Sequence, residues 1–166
     1  NFNGIDQLAL LIRGINETPT SRRLMVNAWN PSDMPNMVLP PCHYGFQVYI
    51  RGVHIDLMWQ QRSADIFLGL PYDIAMYGLL LELLAKGSGL KAGQLIGNLG
   101  DCHLYNNHIE QGKLQLSRNI KELPKINIKQ GIEFKNKKLI LPNHEDVNIK
   151  NYNPHPNIKA ELSVGT

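Results

Sequence analysis

The chain has 166 residues, 43% of them hydrophobic and 19% charged, with a formal net charge of +3. This length fits one domain able to bury a sizeable core, and the composition is that of an ordinary globular chain, not a disordered one. Two cysteines make no disulfide framework, so reduced thiols and a cytoplasmic setting are the expectation.

No signal peptide stands at Asn1; the chain opens inside a helix pattern without Met, which points to a missing N-terminal part. Apolar residues at 5, 8, 9, 11, 12 and 15 predict a helix from Ile5 to Ile15, with Asp6 near its start. Glu17 to Ser21 closes it, Arg22-Arg23 follow, and Leu24 to Val26 reads as a strand. Asn30-Pro31-Ser32-Asp33-Met34-Pro35 interrupts any helix and forms a loop leading to Cys42. Tyr44 to Ile50 and Val53 to Gln61 predict two strands of a hairpin turned at Arg51-Gly52. Antiparallel pairing then returns Arg62-Ser63 to the neighbourhood of Cys42.

Asp65 to Pro71 is a connection, and Asp73 to Lys86 is the clearest helix, with Gly87-Ser88-Gly89 suited to its C-cap. Its apolar run, Ile74 to Ala85, carries Gly78 and Glu82 and is too short to span a membrane. Ala92 to Asn98 predicts a strand, Gly100-Asp101 a turn, and His103 to Gln111 a short helical or extended piece. Ser117 to Lys150 is rich in Lys and Asn, with strand-like bursts at Lys125 to Ile128, Ile132 to Phe134 and Leu139 to Leu141. The tail around Pro154-His155-Pro156 is rigid and extended. The basic residues between Lys113 and Lys138 read first as a solvated face, and second as a weak contact surface for anions or nucleic acid.

Singly, the chemistry-bearing residues stay ambiguous. Pro40-Pro41 fixes the lead-in to Cys42, whose thiol is either an ordinary buried cysteine or a nucleophile favoured as thiolate by nearby cations such as Arg22, Arg23 and Arg62. Arg22-Arg23 fits a solvated pair as well as a phosphate clamp. His43 adjoins Cys42, but successive residues of an extended chain point to opposite faces, which disfavours a direct Cys-His dyad. The cysteines and six histidines show no metal-ligand spacing. Gly87-Ser88-Gly89 follows a helix, where a phosphate loop would precede one.

Taken together, Ile5-Asp6-Gln7-Leu8, Ser21-Arg22-Arg23, Ala28-Trp29-Asn30-Pro31, Leu39-Pro40-Pro41-Cys42-His43, Gln61-Arg62-Ser63-Ala64-Asp65, Phe67-Leu68-Gly69-Leu70-Pro71-Tyr72, Gly100-Asp101-Cys102-His103-Leu104-Tyr105 and Tyr152-Asn153-Pro154-His155-Pro156 resemble the thymidylate synthase family. The resemblance runs in order over the chain, apart from the Lys/Asn-rich stretch. It implies an α/β (α+β) fold, with a mixed, largely antiparallel sheet packed with helices and a sheet face at a homodimer interface. Residues 1–166 would be a single domain, the C-terminal portion of the catalytic domain.

The same resemblance implies roles. Cys42 would add to C6 of the pyrimidine, with Arg62 and Asp65 also in the catalytic group. Arg62 and Ser63, with Arg22 and Arg23 from a partner subunit, would grip the 5′-phosphate, and Gln61 would join the substrate site. His103 and Tyr105 would hold the sugar hydroxyl, and Asp65 and Gly69 would line the base and folate pocket. The segment from Ile158 to Val164 would close over the ligands, with Val164 in the folate site. Gly165-Thr166 extends beyond the usual end of the family. The one-carbon donor would be 5,10-methylenetetrahydrofolate.

One departure bears on substrate. Where the family carries an asparagine that reads the uracil edge, this chain has Asp73. An ionised carboxylate has no donor for O4, whereas cytosine offers a 4-amino donor and an N3 that can carry or accept a proton. The family's dCMP-using hydroxymethylases resemble this chain there. The plainer alternative is that Asp73 caps the helix beginning at Ile74. The expectation is hydroxymethylation or methylation of dCMP at C5, with dTMP formation from dUMP as the alternative. A non-catalytic RNA-binding relative is a second alternative, though nucleic acid and membrane are not expected partners. The setting would be cytoplasmic, in a host cell if the source is a virus with modified cytosine.

Overall fold

The computed structural model describes residues 4–163. Its core is a four-stranded sheet in the order β1-β2-β3-β4, formed by Met25–Asn27, His43–Arg51, His54–Asp65 and Lys91–His103. β1, β2 and β3 pair antiparallel, and β3 pairs with β4 in parallel. Two antiparallel ribbons lie outside this sheet: β5 (Lys125–Ile128) with β8 (Val147–Lys150), and β6 (Glu133–Lys135) with β7 (Lys138–Ile140). The sheet is thus mixed and mostly antiparallel, with helices packed against it.

Helix α1 spans Gln7–Glu17, and Asp6 caps it by accepting a hydrogen bond from the Ala9 amide at 2.9 Å. Leu11, Ile12 and Ile15 form its buried stripe. The Gln7 side chain ties the helix to β1, donating to Asn27 O and accepting from Asn27 N, each at 2.8 Å. Helix α2 spans Leu70–Ser88 and buries Tyr77, Leu81, Leu84 and Ala85 against Ile55, Leu57 and Trp59 of β3. These side chains leave water together, and their burial is the main source of stability here.

Several sequence expectations are corrected. Helix α2 begins at Leu70, with Gly69 as N-cap and Pro71 in the first turn, where a missing N–H costs nothing. Asp73 lies inside that turn and is not the cap. At the other end Gly89, at φ +68°, closes the helix, as expected for a left-handed C-cap residue. Gly87 is instead a crossing point: its added Cβ would overlap the backbone of Ile132, and a Cβ on Gly131 would overlap that of Gly87.

Gly100-Asp101 makes no turn, because β4 runs unbroken to His103. A Cβ on Gly100 would press on the Arg62 carbonyl, so glycine here permits close strand approach, not reversal. Further on, α3 (Ile109–Leu116) follows a 3-10 turn at Asn106–His108, and β8 was not anticipated in so polar a stretch. No described helix is long and apolar enough to cross a membrane.

Candidate functional site

The hairpin β2–β3 assembles the first cluster. His43 lies directly opposite Gln61 in the register, and the Arg62 amide donates to Cys42 O at 2.9 Å. Cys42 is half-buried just before the strand. The Arg62 guanidinium spans its lead-in, with Nε donating to Pro41 O at 3.1 Å and Nη2 to Pro40 O at 2.8 Å. The same Nη2 sits 3.9 Å from Cys42 Sγ. Among the described residues, Nη1 makes no hydrogen bond. One arginine therefore shapes the cysteine loop and keeps donors to spare.

On the helix-facing side, a second network surrounds Asp73. Trp59 and Gln61 are two apart on β3, which puts their side chains on one face. Trp59 Nε1 donates to Gln61 Oε1 at 3.0 Å, while Gln61 Nε2 donates to Ser63 O at 2.9 Å and to Asp73 Oδ2 at 2.8 Å. His43 Nε2 lies 3.2 Å from Asp73 Oδ1. Tyr77, one turn beyond Asp73 on α2, stacks on Trp59 with centroids 5.1 Å apart and lies 5.6 Å from the His43 ring. Burial pushes the Tyr77 phenol above its ordinary pKa, and the charge of Asp73 adds to the effect. Asp73 keeps 13% of its side-chain surface, so it is enclosed but reachable.

The parallel pair β3–β4 brings the remaining residues alongside. Ser63 pairs with Asp101 and Asp65 with His103 at the ends of the strands. Asp65 Oδ1 accepts from the Phe67 and Leu68 amides, at 3.0 and 3.3 Å, which folds the chain toward Gly69. The Gly69 amide donates to Asp65 O at 3.1 Å. His103 and Tyr105 meet edge to face with centroids 5.0 Å apart. Tyr105 and Phe67 in turn flank His108, which is fully buried.

Cys42 and Arg62 thus meet, as do Gln61 and Asp73, and Asp65 stands beside His103. Strand β3 joins the groups by carrying Gln61, Arg62, Ser63 and Asp65 in succession. Arg22 and Arg23 stay apart from them: both are exposed on the turn before β1 and make no side-chain hydrogen bond among the described residues. Val164 lies outside the described residues. Among those described, no group of three or more His, Cys, Asp or Glu side chains could hold a metal ion.

Sequence reasoning overlooked His43 and Tyr77 as partners of Asp73. The signal was there in the hairpin register, which sets His43 against Gln61, and in the four-residue step from Asp73 to Tyr77. His108 had no signal beyond being one histidine among six.

Comparison with known proteins gives a consistent result. The family model described as thymidylate synthase matches residues 1–164. A protein named thymidylate synthase from Listeria monocytogenes serotype 4a (strain HCC23) is 51% identical over 160 residues, covering 96% of this chain. Its counterpart from serovar 1/2a (strain ATCC BAA-679 / EGD-e) is 51% identical over 162 residues. The chain spans 50% of the length of each of these relatives.

Proposed function

This chain belongs to the thymidylate synthase family, and we propose that in the full-length protein it supplies the nucleophile and base-reading wall for folate-dependent one-carbon transfer to C5 of dCMP. The observation that carries the nucleotide assignment is the setting of Asp73. Gly69 caps α2, so helix capping does not account for this carboxylate. Asp73 instead takes hydrogen bonds from buried Gln61 and faces His43, with a strip of surface left for a ligand. Two oxygens so placed accept the 4-amino group of cytosine and pair with a proton held at N3. Against uracil O4 they oppose lone pair to lone pair, a mismatch that a hydrogen-bonding site penalises by orders of magnitude.

The roles follow from the chemistry of each group. Cys42 Sγ forms a bond to C6, which shifts the electron pair to C5 and makes it the attacking carbon. Arg62, already bridging the Pro40 and Pro41 carbonyls, offers its remaining donors with Ser63 to the 5′-phosphate. Arg22 and Arg23 project outward to complete the same grip in the other subunit of a homodimer. Gln61 orients Asp73 from within, and His103 and Tyr105 receive the sugar hydroxyl. Asp65 and Gly69 border the folate: Asp65 Oδ1 is occupied by backbone amides, and Oδ2 makes no hydrogen bond among the described residues, leaving it to accept a ring N–H. Val164 would meet the same ligand.

Methylenetetrahydrofolate, when bound, supplies the one-carbon unit and, for a methyl product, the hydride as well. Loss of the C5 proton and release of Cys42 from C6 restore the aromatic base. If water instead of hydride ends the reaction, the product is hydroxymethyl.

The names of the relatives, at 51% identity, favour a second reading in which dUMP is converted to dTMP. Full-length enzyme incubated with methylenetetrahydrofolate and nucleotide tritiated at C5 separates the two. Tritium release with dCMP supports the proposal, and dihydrofolate absorbance then distinguishes methyl from hydroxymethyl. Release with dUMP and none with dCMP would overturn it.

A further inference from the structure

We propose that His108 is a positioning residue that couples the sugar pocket to the C-terminal segment, with its ring seated on Tyr105 and its Nε2–H holding Glu161 O. This rests on the reading above that Tyr105 receives the sugar hydroxyl, whichever base is bound. His108 is fully buried, and its Nε2 lies 2.7 Å from the carbonyl of Glu161. A carbonyl only accepts, so the proton sits on Nε2 and Nδ1 keeps a bare lone pair. Nδ1 has no partner among the described residues. Phenylalanine would fill this space without burying an unpaired nitrogen. What histidine adds is the donor to Glu161 O.

With Nδ1 unpinned, packing sets the orientation of the ring. Phe67 lies 5.5 Å away, tilted at 42°, and Tyr105 lies 5.9 Å away, nearly edge-on at 78°. Each neighbour leads to a pocket. Tyr105 meets His103, and its carbonyl accepts from His108 N at 2.9 Å, so Tyr105 and His108 close one 3-10 turn. The Phe67 amide donates to Asp65 Oδ1 at 3.0 Å, on the folate side. A shift of either neighbour turns the ring and swings Nε2 away from Glu161 O.

The other side-chain ties on this segment, among the described residues, are exposed, and water competes for each of them. The His108 bond is the one anchored on a buried side chain. A nucleotide that fixes Tyr105 also narrows the freedom of the His108 ring, which favours the bound state of the segment. By reciprocity, the bound segment raises nucleotide affinity by the same factor.

The test uses the full-length protein, with dCMP and dUMP added in turn. Lys159 is exposed, so trypsin cleavage at Lys159–Ala160, read by mass spectrometry, reports how often the segment comes free. In the wild type, bound nucleotide should slow this cut about fivefold or more. His108→Phe keeps a ring against Tyr105 and has no donor. Without ligand it should be cut about fivefold faster than wild type, as loss of one hydrogen bond implies. Nucleotide should no longer slow its cutting, and its Kd by calorimetry should rise by the factor seen in the wild type. His108→Gln keeps an N–H of similar reach and should restore the slower ligand-free cut. Nitrogen-15 NMR of the wild type should find the His108 proton on Nε2, a readout that stands even where a variant does not fold. Failure of both nucleotides to bind overturns the substrate reading and this coupling together. Binding that leaves wild-type cleavage unchanged, equal ligand-free cutting of His108→Phe and wild type, or an Nδ1–H tautomer overturns the coupling alone.

Discussion

Arg62 Nη2 stands 3.9 Å from the sulfur of Cys42 and 2.8 Å from the carbonyl of Pro40, so the guanidinium that neighbours the thiol also fixes the backbone that presents it. Lysine has no planar fork with which to bridge the Pro40 and Pro41 carbonyls. Arg62→Lys should therefore lower kcat as well as raise KM for nucleotide, because the cysteine itself is displaced. An effect confined to KM, measured in steady-state kinetics on the full-length enzyme, would show that Arg62 touches only the phosphate.

Cys42→Ser should reduce turnover by about a thousandfold or more, since the oxygen nucleophile is far weaker at its ordinary pKa. Nucleotide binding, followed by calorimetry, should persist because Arg62 and Ser63 are untouched. Turnover near the wild-type rate would remove Cys42 as the bond-forming atom.

Asp73→Asn should move preference toward dUMP by about tenfold or more. It should also ease Tyr77 ionisation, because one of the two causes raising that phenol is the Asp73 charge. Ultraviolet titration of the variant should place this tyrosine lower than in the wild type, yet still above a free phenol because burial remains. An unmoved titration would mean that Asp73 does not face Tyr77 as a charge.

The Arg51–Asp56 pair predicts an acid-side signature. The hydrogen bond from Arg51 Nε, at 2.6 Å, is the largest cause holding the Asp56 carboxyl below its ordinary value; burial opposes it, and the Gln94 amide assists. A depressed carboxyl contributes stability above its unfolded-state pKa of about 4, and that contribution is lost as pH falls through the folded value. Asp56→Asn should thus be less stable than wild type at pH 6, with the gap narrowing below about pH 4. Urea midpoints across that range would measure it, and a gap independent of pH would refute the assignment.

Gly131 and Gly87 cross where the end of α2 meets the segment before β6, and Ile132 N donates to Leu83 O at 3.1 Å. A methyl at Gly87 would meet the Ile132 backbone, and one at Gly131 the backbone of Gly87 and Leu83. Gly131→Ala should cost about 2 kcal/mol or more of unfolding free energy. Thermal denaturation showing no loss would contradict this crossing.

Much of this arrangement was legible because it is local. Apolar spacing marked α1, Arg51-Gly52 marked the hairpin turn, where Gly52 takes φ +58°, and the hairpin alone brought Arg62 to Cys42. Glycines misled where their reason was tertiary. Gly100 looked like a turn and proved to be room for the Arg62 carbonyl, and Gly87 looked like a cap residue and proved to be a crossing. The Asp73 partners were hidden for the same reason. Residues 43, 61 and 73 meet only once a strand register and a helix position are both fixed, and neither periodicity nor composition encodes that. Starting α2 at Leu70 instead of Asp73 was a matter of three residues, yet it decided whether the carboxylate was a cap.

From Tyr152 to Ser163 the chain runs without a strand or helix of its own, and among the described residues its backbone bonds to no other backbone group. It is fastened by side-chain ties: Lys121 to Asn153 and Pro154 O, Arg118 to Pro156 O, His155 to Asn119 O, His108 to Glu161 O and Ser163 to Asn107. Such ties are worth about 1 kcal/mol each and fail independently, unlike the cooperative rungs of a ladder. The segment can therefore lift stepwise, as adhesive tape does, while the four-stranded sheet stays whole. His108, buried between Phe67 and Tyr105, is the fastening through which each lift would be felt below.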